Sequence, residues 1–285
     1  MEDKALDALI SLLDDADPSV YAHVEEKLLS LGETVVKPLE SAWENSFDSL
    51  MQQRIEDLIH KIQLISIRES LQLWKLSGAF DLMQGLLIIN KFQYPDLDEQ
   101  HVINELEEIK REVWMQMIYD MSSVEKVRLI NHTFYNTFGF KGNTKNFHDP
   151  QNSFLSDVLA TRKGNPILLG SIYSLIAQKL DIPIYGVNLP QHFVLAYTDN
   201  YLTNSEENEV LFYINAFNRG QILGRHDVIS FLKQVAMPIR PEFFKPCSNL
   251  DIVKRVLRNL VDAYGKSGAV ERQDEAKSML ELLSE

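Results

Sequence analysis

Two side chains in this sequence stand out for the chemistry they could support. His192 begins the apolar run HFVLAY, where an imidazole could accept a proton from a nearby nucleophile. Cys247 is the single cysteine, so neither an intramolecular disulfide nor a cysteine-based zinc site can form within the chain. Cys247 precedes a helix that Ser248 can cap, and a helix N-terminus can activate a thiol. It is far from His192 in sequence, however, and a structural thiol is the simpler interpretation.

The composition is that of an acidic globular chain. Of 285 residues, 45% are hydrophobic and 24% are charged, which excludes a largely disordered protein. Lys and Arg total 28 against 41 Asp and Glu, a net charge of −13, so we expect no nucleic-acid or membrane partner. Residues 1–65 hold 14 acidic and 5 basic side chains and form an acidic module with a net charge of −9. No signal-peptide pattern or membrane-length apolar stretch occurs, so we expect a cytoplasmic protein.

Helical periodicity dominates the first half of the chain. Apolar residues recur at spacings of three and four, and Asp17-Pro18 can cap and start a helix that Gly32 ends. A helix is expected before Asp17 and another from about Glu33. Further helices are predicted at about 47–65, 67–76, 79–91, 98–119 and 123–137.

The pattern changes after Gly139. Residues 139–153 are rich in Gly, Asn, Asp and Pro and predict a loop. Strands are predicted where Val, Ile, Phe and Tyr cluster, at 182–187, 193–197, 210–215 and 221–223, with 198–209 as a polar hairpin connection. Helical patterns predict elements at about 153–160, 166–180, 226–235, 248–265 and 270–284. Helices flanking a small antiparallel sheet give a mostly helical α+β fold.

Several motifs in the middle of the chain follow one another in the order of a known family. They are YPDLD (94–98), GFKGN (139–143), the run from DPQNSF to HFVLAY (149–197) and INAFNRGQIL (214–223). Over about residues 80–265 the sequence resembles the SirB-type transglutaminase-like family, bacterial proteins of the papain-like transglutaminase superfamily. The resemblance implies a core in which a small antiparallel sheet packs against the helix predicted at 166–180.

Working members of that superfamily use a Cys-His-Asp triad, with the thiolate at a helix N-terminus and the other two residues on neighbouring strands. The resemblance places Pro166 at the nucleophile position, His192 at the histidine position and Asn215 at the carboxylate position. Proline carries no nucleophile, and asparagine cannot compensate an imidazolium charge. We therefore expect no catalytic residues and no cofactor. We also expect no metal, because His148-Asp149 matches an Asp-Pro turn of the family.

The missing triad members predict a non-catalytic protein that binds a protein or a ligand, with regulation as the role this suggests. The expected cleft residues are Asn152, Asn165, Ser171 and Gln191, around the vestigial triad positions Pro166, His192 and Asn215. The alternative is a hydrolase or transferase with a rearranged site around His192, served by Ser171 or a bound water. Ser171 would face a different direction from position 166, so binding is favoured. We expect a neutral His192 bonded to Asn215 or to a backbone group.

Helical extensions are expected at both ends of the core. Residues 1–65 resemble a HEAT-like helical module, and residues 258–283 resemble one tetratricopeptide-like hairpin, too little for a solenoid. The predicted organisation is therefore a HEAT-like module at 1–65, a transglutaminase-like domain at 66–245 and a C-terminal helical hairpin at 246–285. Within the middle domain, 66–140 is a helical lead-in and 141–245 the core. These extensions favour a protein partner, which the sequence does not identify.

Overall fold

The structure is a computed structural model that describes residues 2–199 and 210–284. The chain divides into two compact units, Met1–Leu73 and Trp74–Glu285. Helices dominate and surround a small antiparallel sheet, so the predicted α+β class is confirmed. Most of the polar connection predicted at 198–209 lies outside the described residues. In the part of the chain that the structure covers, no helix has the length and apolar character needed to cross a membrane.

The first unit is a set of helices around one apolar core. Its elements are α1 (Glu2–Ser11), α2 (Pro18–Leu31), α3 (Val36–Asn45) and the larger part of α4 (Ser49–Leu76). The Asp17 carboxylate accepts a hydrogen bond from the Ser19 N–H at 2.8 Å and caps α2, as predicted. The separate helices expected at 47–65 and 67–76 were wrong, because no glycine or proline interrupts the periodic sequence and α4 is continuous.

The second unit begins with the helices that lead into the sheet. They are α5 (Leu82–Gln93), α6 (Glu99–Gln116) and α7 (Ser123–Asn131), which continues into one π-helical turn at His132–Thr137. Asp81 and Asp98 accept hydrogen bonds from the first turns of α5 and α6, so these helices begin just after each aspartate. Ser122 and Glu125 form a reciprocal capping box on α7.

Helices α8 (Leu155–Thr161) and α9 (Pro166–Gln178) follow a loop that the sequence predicted only in part. Strand β1 (Lys141–Gly142) lies in that loop. It pairs in parallel with β2 (Lys163–Gly164), which lies between α8 and α9, and so holds the chain just before α9. A pair of two-residue strands has no hydrophobic pattern that could reveal it in the sequence. Almost every residue of α9 is buried. This burial matches the central helix that the resemblance implied.

The main sheet determines where the vestigial triad positions meet. Its strands are β3 (Ile184–Leu189), β4 (His192–Thr198), β5 (Val210–Asn215) and β6 (Gln221–Leu223), antiparallel and in that order. A two-residue turn joins β3 to β4, and Leu195 of β4 pairs with Ile214 of β5. Because neighbouring strands run in opposite directions, the start of β4 and the end of β5 lie at the same end of the sheet. His192 and Asn215 therefore come together there.

Three more helices complete the second unit: α10 (Arg225–Gln234), α11 (Asn249–Ser267) and α12 (Val270–Ser284). Gly268 adopts a left-handed conformation, with φ of +75°, and turns the chain between α11 and α12. Helix α11 packs against α12, α5, α9 and β3, with its apolar face buried. Its opposite, polar face reaches the region around the start of α9, as the next section describes.

Candidate functional site: a cleft at the start of helix α9

A cleft of about 610 Å³ opens at the N-terminus of α9. That volume lies within the range of small-molecule sites. Four segments form its walls: the loop at 147–149 with Ser153, the start of α9 at 165–167, the β3–β4 turn with the start of β4 at 191–193, and the polar face of α11. The cleft is therefore built where the superfamily resemblance placed the nucleophile and the histidine.

Pro166 is the first residue of α9 and lines the cleft. The side chain of Asn165 holds this helix start in place: its Oδ1 accepts from the Leu168 N–H at 2.9 Å, and its Nδ2 donates to Ser153 Oγ at 2.9 Å. A helix N-terminus carries a partial positive charge, which favours a thiolate or another anion. Proline supplies neither an anion nor an N–H, so the positive end of α9 is not compensated by its own first residue.

His192 lines the same cleft and is half-buried. Its ring shares a small cavity with the side chain of Asn215, whose Oδ1 accepts from the Asn218 N–H at 3.1 Å. Burial, and then the charge of Arg255, hold the pKa of His192 below its usual value, while the neighbouring Asn215 amide acts in the opposite direction. The shift favours the neutral imidazole, the form predicted from the sequence.

Asn215 does not face the main cleft. It lines a neighbouring cavity of about 230 Å³, together with His192, Asp227 and Phe231. The aromatic ring of Phe231 lies 5.5 Å from the imidazole, centroid to centroid. His192 is thus shared between the two cavities, with Pro166 on one side and Asn215 on the other.

Two of the expected cleft residues lie elsewhere, whereas Asn165 and Gln191 line the cleft. Ser171 is fully buried inside the unit, and its Oγ has no hydrogen-bond partner among the described residues. Asn152 is also buried; its side chain donates to the carbonyl oxygen of Asn146 at 2.6 Å and accepts from Asn143 at 2.8 Å, so it braces the loop. Neither expectation was right. The reason is that helical rotation turns position 171 towards the core, and the loop amide is used to hold the loop itself.

The single thiol is also in an unreactive setting. The backbone N–H of Cys247 donates to the Gly186 carbonyl oxygen at 2.8 Å, which fixes the residue against β3. Burial, together with the nearby Asp251 carboxylate, raises the pKa of the Cys247 thiol to about 12. Cys247 does not line either cavity described above. Its environment is that of a structural thiol.

The polar face of α11 was missed in the sequence, where this segment was interpreted only as part of a terminal hairpin. Arg255, Arg258, Asp262 and Lys266 recur at intervals of three and four residues, so they share one side of the helix. That spacing is the signal that could have revealed the face. Its position at the cleft depends on how α11 packs against α9 and β3, which spacing alone does not determine.

The same positions can be compared with known proteins. A family model described as the transglutaminase-like superfamily matches residues 100–258. A UPF0162 protein of Vibrio cholerae is 28% identical over 188 residues, covering 65% of this chain and 67% of its own length. Protein SirB1 of Salmonella typhimurium is 28% identical over 194 residues, covering 68% and 69%. F-box only protein 21 of Homo sapiens is 32% identical over 94 residues, which are 33% of this chain and 15% of that protein. No solved structure gives a significant match.

Proposed function

This chain belongs to the transglutaminase-like superfamily, as a SirB-type member, and we propose that it is a non-catalytic member that acts by binding. The occupant of the cleft at the start of α9 would be a small ligand or a segment of a partner protein, and regulation is the role that binding would serve. One observation carries the proposal. Pro166, at the position to which the resemblance assigns the nucleophile, starts α9 at the cleft, and the side chain beside the ring of His192 in the neighbouring cavity is the amide of Asn215.

Acyl transfer through a covalent intermediate needs a nucleophile within hydrogen-bond reach of a base. The hydroxyl that the cleft offers is Ser153, which is 3% exposed and whose Oγ accepts from Asn165. Among the described residues, no recorded hydrogen bond joins Ser153 to His192. The Asn215 amide also cannot stabilise an imidazolium by charge, so His192 is a weak candidate for a general base.

The walls of the cleft favour a binding role. Phe147 and Pro166 supply apolar surface, while Gln191 and Asn259 supply amide groups. Apolar walls with a few polar side chains are typical of ligand sites, in which the polar groups orient the bound molecule.

The test is an acyl-transfer assay on the full chain with a glutamine-containing peptide and a primary amine. The quantity measured is the ammonia released. We expect no release above the level in buffer. The matched variants are Ser153→Ala and His192→Gln. Turnover by the native chain that is lost in either variant would contradict the proposal and support the hydrolase or transferase alternative.

A further inference from the structure

Three cations line the cleft without a carboxylate partner: Arg255, Arg258 and Lys266. Over residues 2–199 and 210–284, no ion pair within 4 Å involves any of them. Arg162 and Lys179 of the same unit, by contrast, pair with Glu105 and Glu107. Although the chain has a net charge of −13, three cations lie at this one cavity. We refer to Arg255 and Arg258 as the arginine pair.

The acidic groups of the cleft do not neutralise the arginine pair. Asp149 Oδ1 accepts from the Gln151 N–H at 3.0 Å and caps the short turn that begins there. Asp262 is exposed and lies one helical turn from Arg258, yet no ion pair between the two is recorded among the described residues. His192 is neutral, as derived above, and adds no positive charge.

Arg255 has hydrogen-bonding capacity left over. Its Nη1 donates to Asn188 Oδ1 at 2.5 Å and to the Leu189 carbonyl oxygen at 2.9 Å. The donors on Nη2 and Nε have no recorded partner among the described residues, although the side chain is half-buried. These donors are available to a ligand, and a guanidinium edge matches the two oxygens of a carboxylate or phosphate.

Two further features point to an anion. Burial, and then the like charge of Arg258 on the same face of α11, lower the pKa of Arg255 below its usual value. The positive end of α9 lies on the same cleft, and Pro166 leaves it uncompensated. An anionic group bound between them would relieve both effects.

We propose that the cleft binds a small organic anion whose carboxylate or phosphate group is held by the arginine pair, with the body of the ligand against Phe147 and Pro166. This inference rests on the proposed binding function and names its ligand class. Lys266 lies eight residues beyond Arg258, about 12 Å along the helix axis, and belongs to the far end of the cleft.

The experiment uses the full chain and three probes of similar shape: phenylacetate, phenyl phosphate and the uncharged phenylacetamide. Binding is followed by the backbone amide chemical shifts of residues 165, 167, 168 and 191–193. We expect one or both anions to bind at least about tenfold more tightly than phenylacetamide, because charge-assisted hydrogen bonds are the stronger ones. The two anions distinguish a carboxylate source from a phosphate source.

Arg258→Gln should weaken anion binding at least about tenfold, and this exposed side chain has no recorded protein partner whose loss would unfold the chain. Arg258→Lys, which keeps the charge but not the planar pair of donors, should give an intermediate loss. The control is Lys254→Gln, the same charge change on α11 outside the cleft, which should leave affinity nearly unchanged.

Anion binding that is equal in Arg258→Gln and the native chain would overturn the inference, as would binding of neither anion. If phenylacetamide binds at the cleft as well as the anions do, the anion inference fails while the proposed binding function stands. The ammonia-release assay judges that function separately.

Discussion

Replacing Asn215 by aspartate should restore a negative charge beside the ring of His192. In the native chain, burial and the charge of Arg255 lower the pKa of His192. The neighbouring Asn215 amide raises this pKa, but by less than the other two effects lower it. Aspartate has nearly the same shape as asparagine and can still accept the hydrogen bond from the Asn218 N–H. The substitution therefore changes the charge at the ring while keeping the local turn.

The size of the effect follows from the contact between the two side chains. An opposite charge within hydrogen-bond reach raises a histidine pKa by about 1–3 units, or about 1.4–4 kcal/mol in favour of the imidazolium. Coulomb's law gives about 4 kcal/mol for unit charges 4 Å apart at an effective dielectric constant of about 20, so the upper end of that range is the limit. We expect His192 in Asn215→Asp to titrate about 1–3 units above the native value.

The measurement is an NMR titration of the histidine ring protons. The chain has 7 histidines, so His192→Gln identifies the signal. A shift of less than about half a unit in Asn215→Asp would refute the electrostatic coupling of the two side chains. A native His192 pKa above 7 would refute the neutral imidazole.

The same reasoning predicts opposite pH dependences of stability. The folded-state pKa of native His192 is below its unfolded value of about 6.5, so above that pH this histidine does not reduce the free energy of unfolding of the chain. The free energy of unfolding falls as the pH drops from about 6.5 through the folded-state pKa, because the unfolded chain binds the proton first. In Asn215→Asp the new carboxylate raises the folded-state pKa; once this exceeds the unfolded value of about 6.5, the pair stabilises the fold at low pH, and the gain is lost as the pH rises through the folded-state pKa. Urea unfolding at pH 5 and pH 7 measures both slopes.

Two further predictions concern packing and the thiol. Gly170→Ala should lower the unfolding free energy by about 1–2 kcal/mol, because the new methyl would lie 2.8 Å from ring carbons of buried Phe193. The control is Gly265→Ala, whose methyl would meet only the movable end of Gln273 and should not lower the unfolding free energy. Equal stability of both variants in urea would contradict the packing argument. Cys247, with its raised pKa, should react with iodoacetamide at pH 8 more than about a hundredfold faster in urea than in the folded chain, and rapid alkylation of the folded chain would show that the thiol is accessible.

The parts of the fold that the sequence predicted well are those that local chemistry determines. Pro166 begins α9 after the capping Asn165, and α12 spans 270–284 as expected. Strand β3 begins two residues later than predicted, at Ile184, because Pro183 has no N–H to donate to a neighbouring strand. Such boundaries depend on one or two residues and can be corrected with the same rules.

The site was predictable only where family motifs marked it. The motifs identified Pro166, His192 and Asn215, and the sheet order explains why the last two meet. The arginine pair was missed because its position depends on α11 packing beside α9, a contact between residues about 90 apart in sequence. Ser171 was misplaced for a related reason: the rotation of a helix that is buried on nearly all sides cannot be derived from its apolar pattern.

Charge balance separates this cleft from a working triad. In a triad, the thiolate and the carboxylate compensate the positive helix end and the imidazolium within the site itself. By the family resemblance, Pro166 and Asn215 stand at the positions of both anionic members, while the arginine pair adds positive charge at the same cavity. This positive charge is compensated by solvent or by a bound molecule. The changes that argue against acyl transfer therefore also leave the cleft suited to an anion, and the proposals of a non-catalytic protein and of an anionic ligand depend on the same loss of internal negative charge.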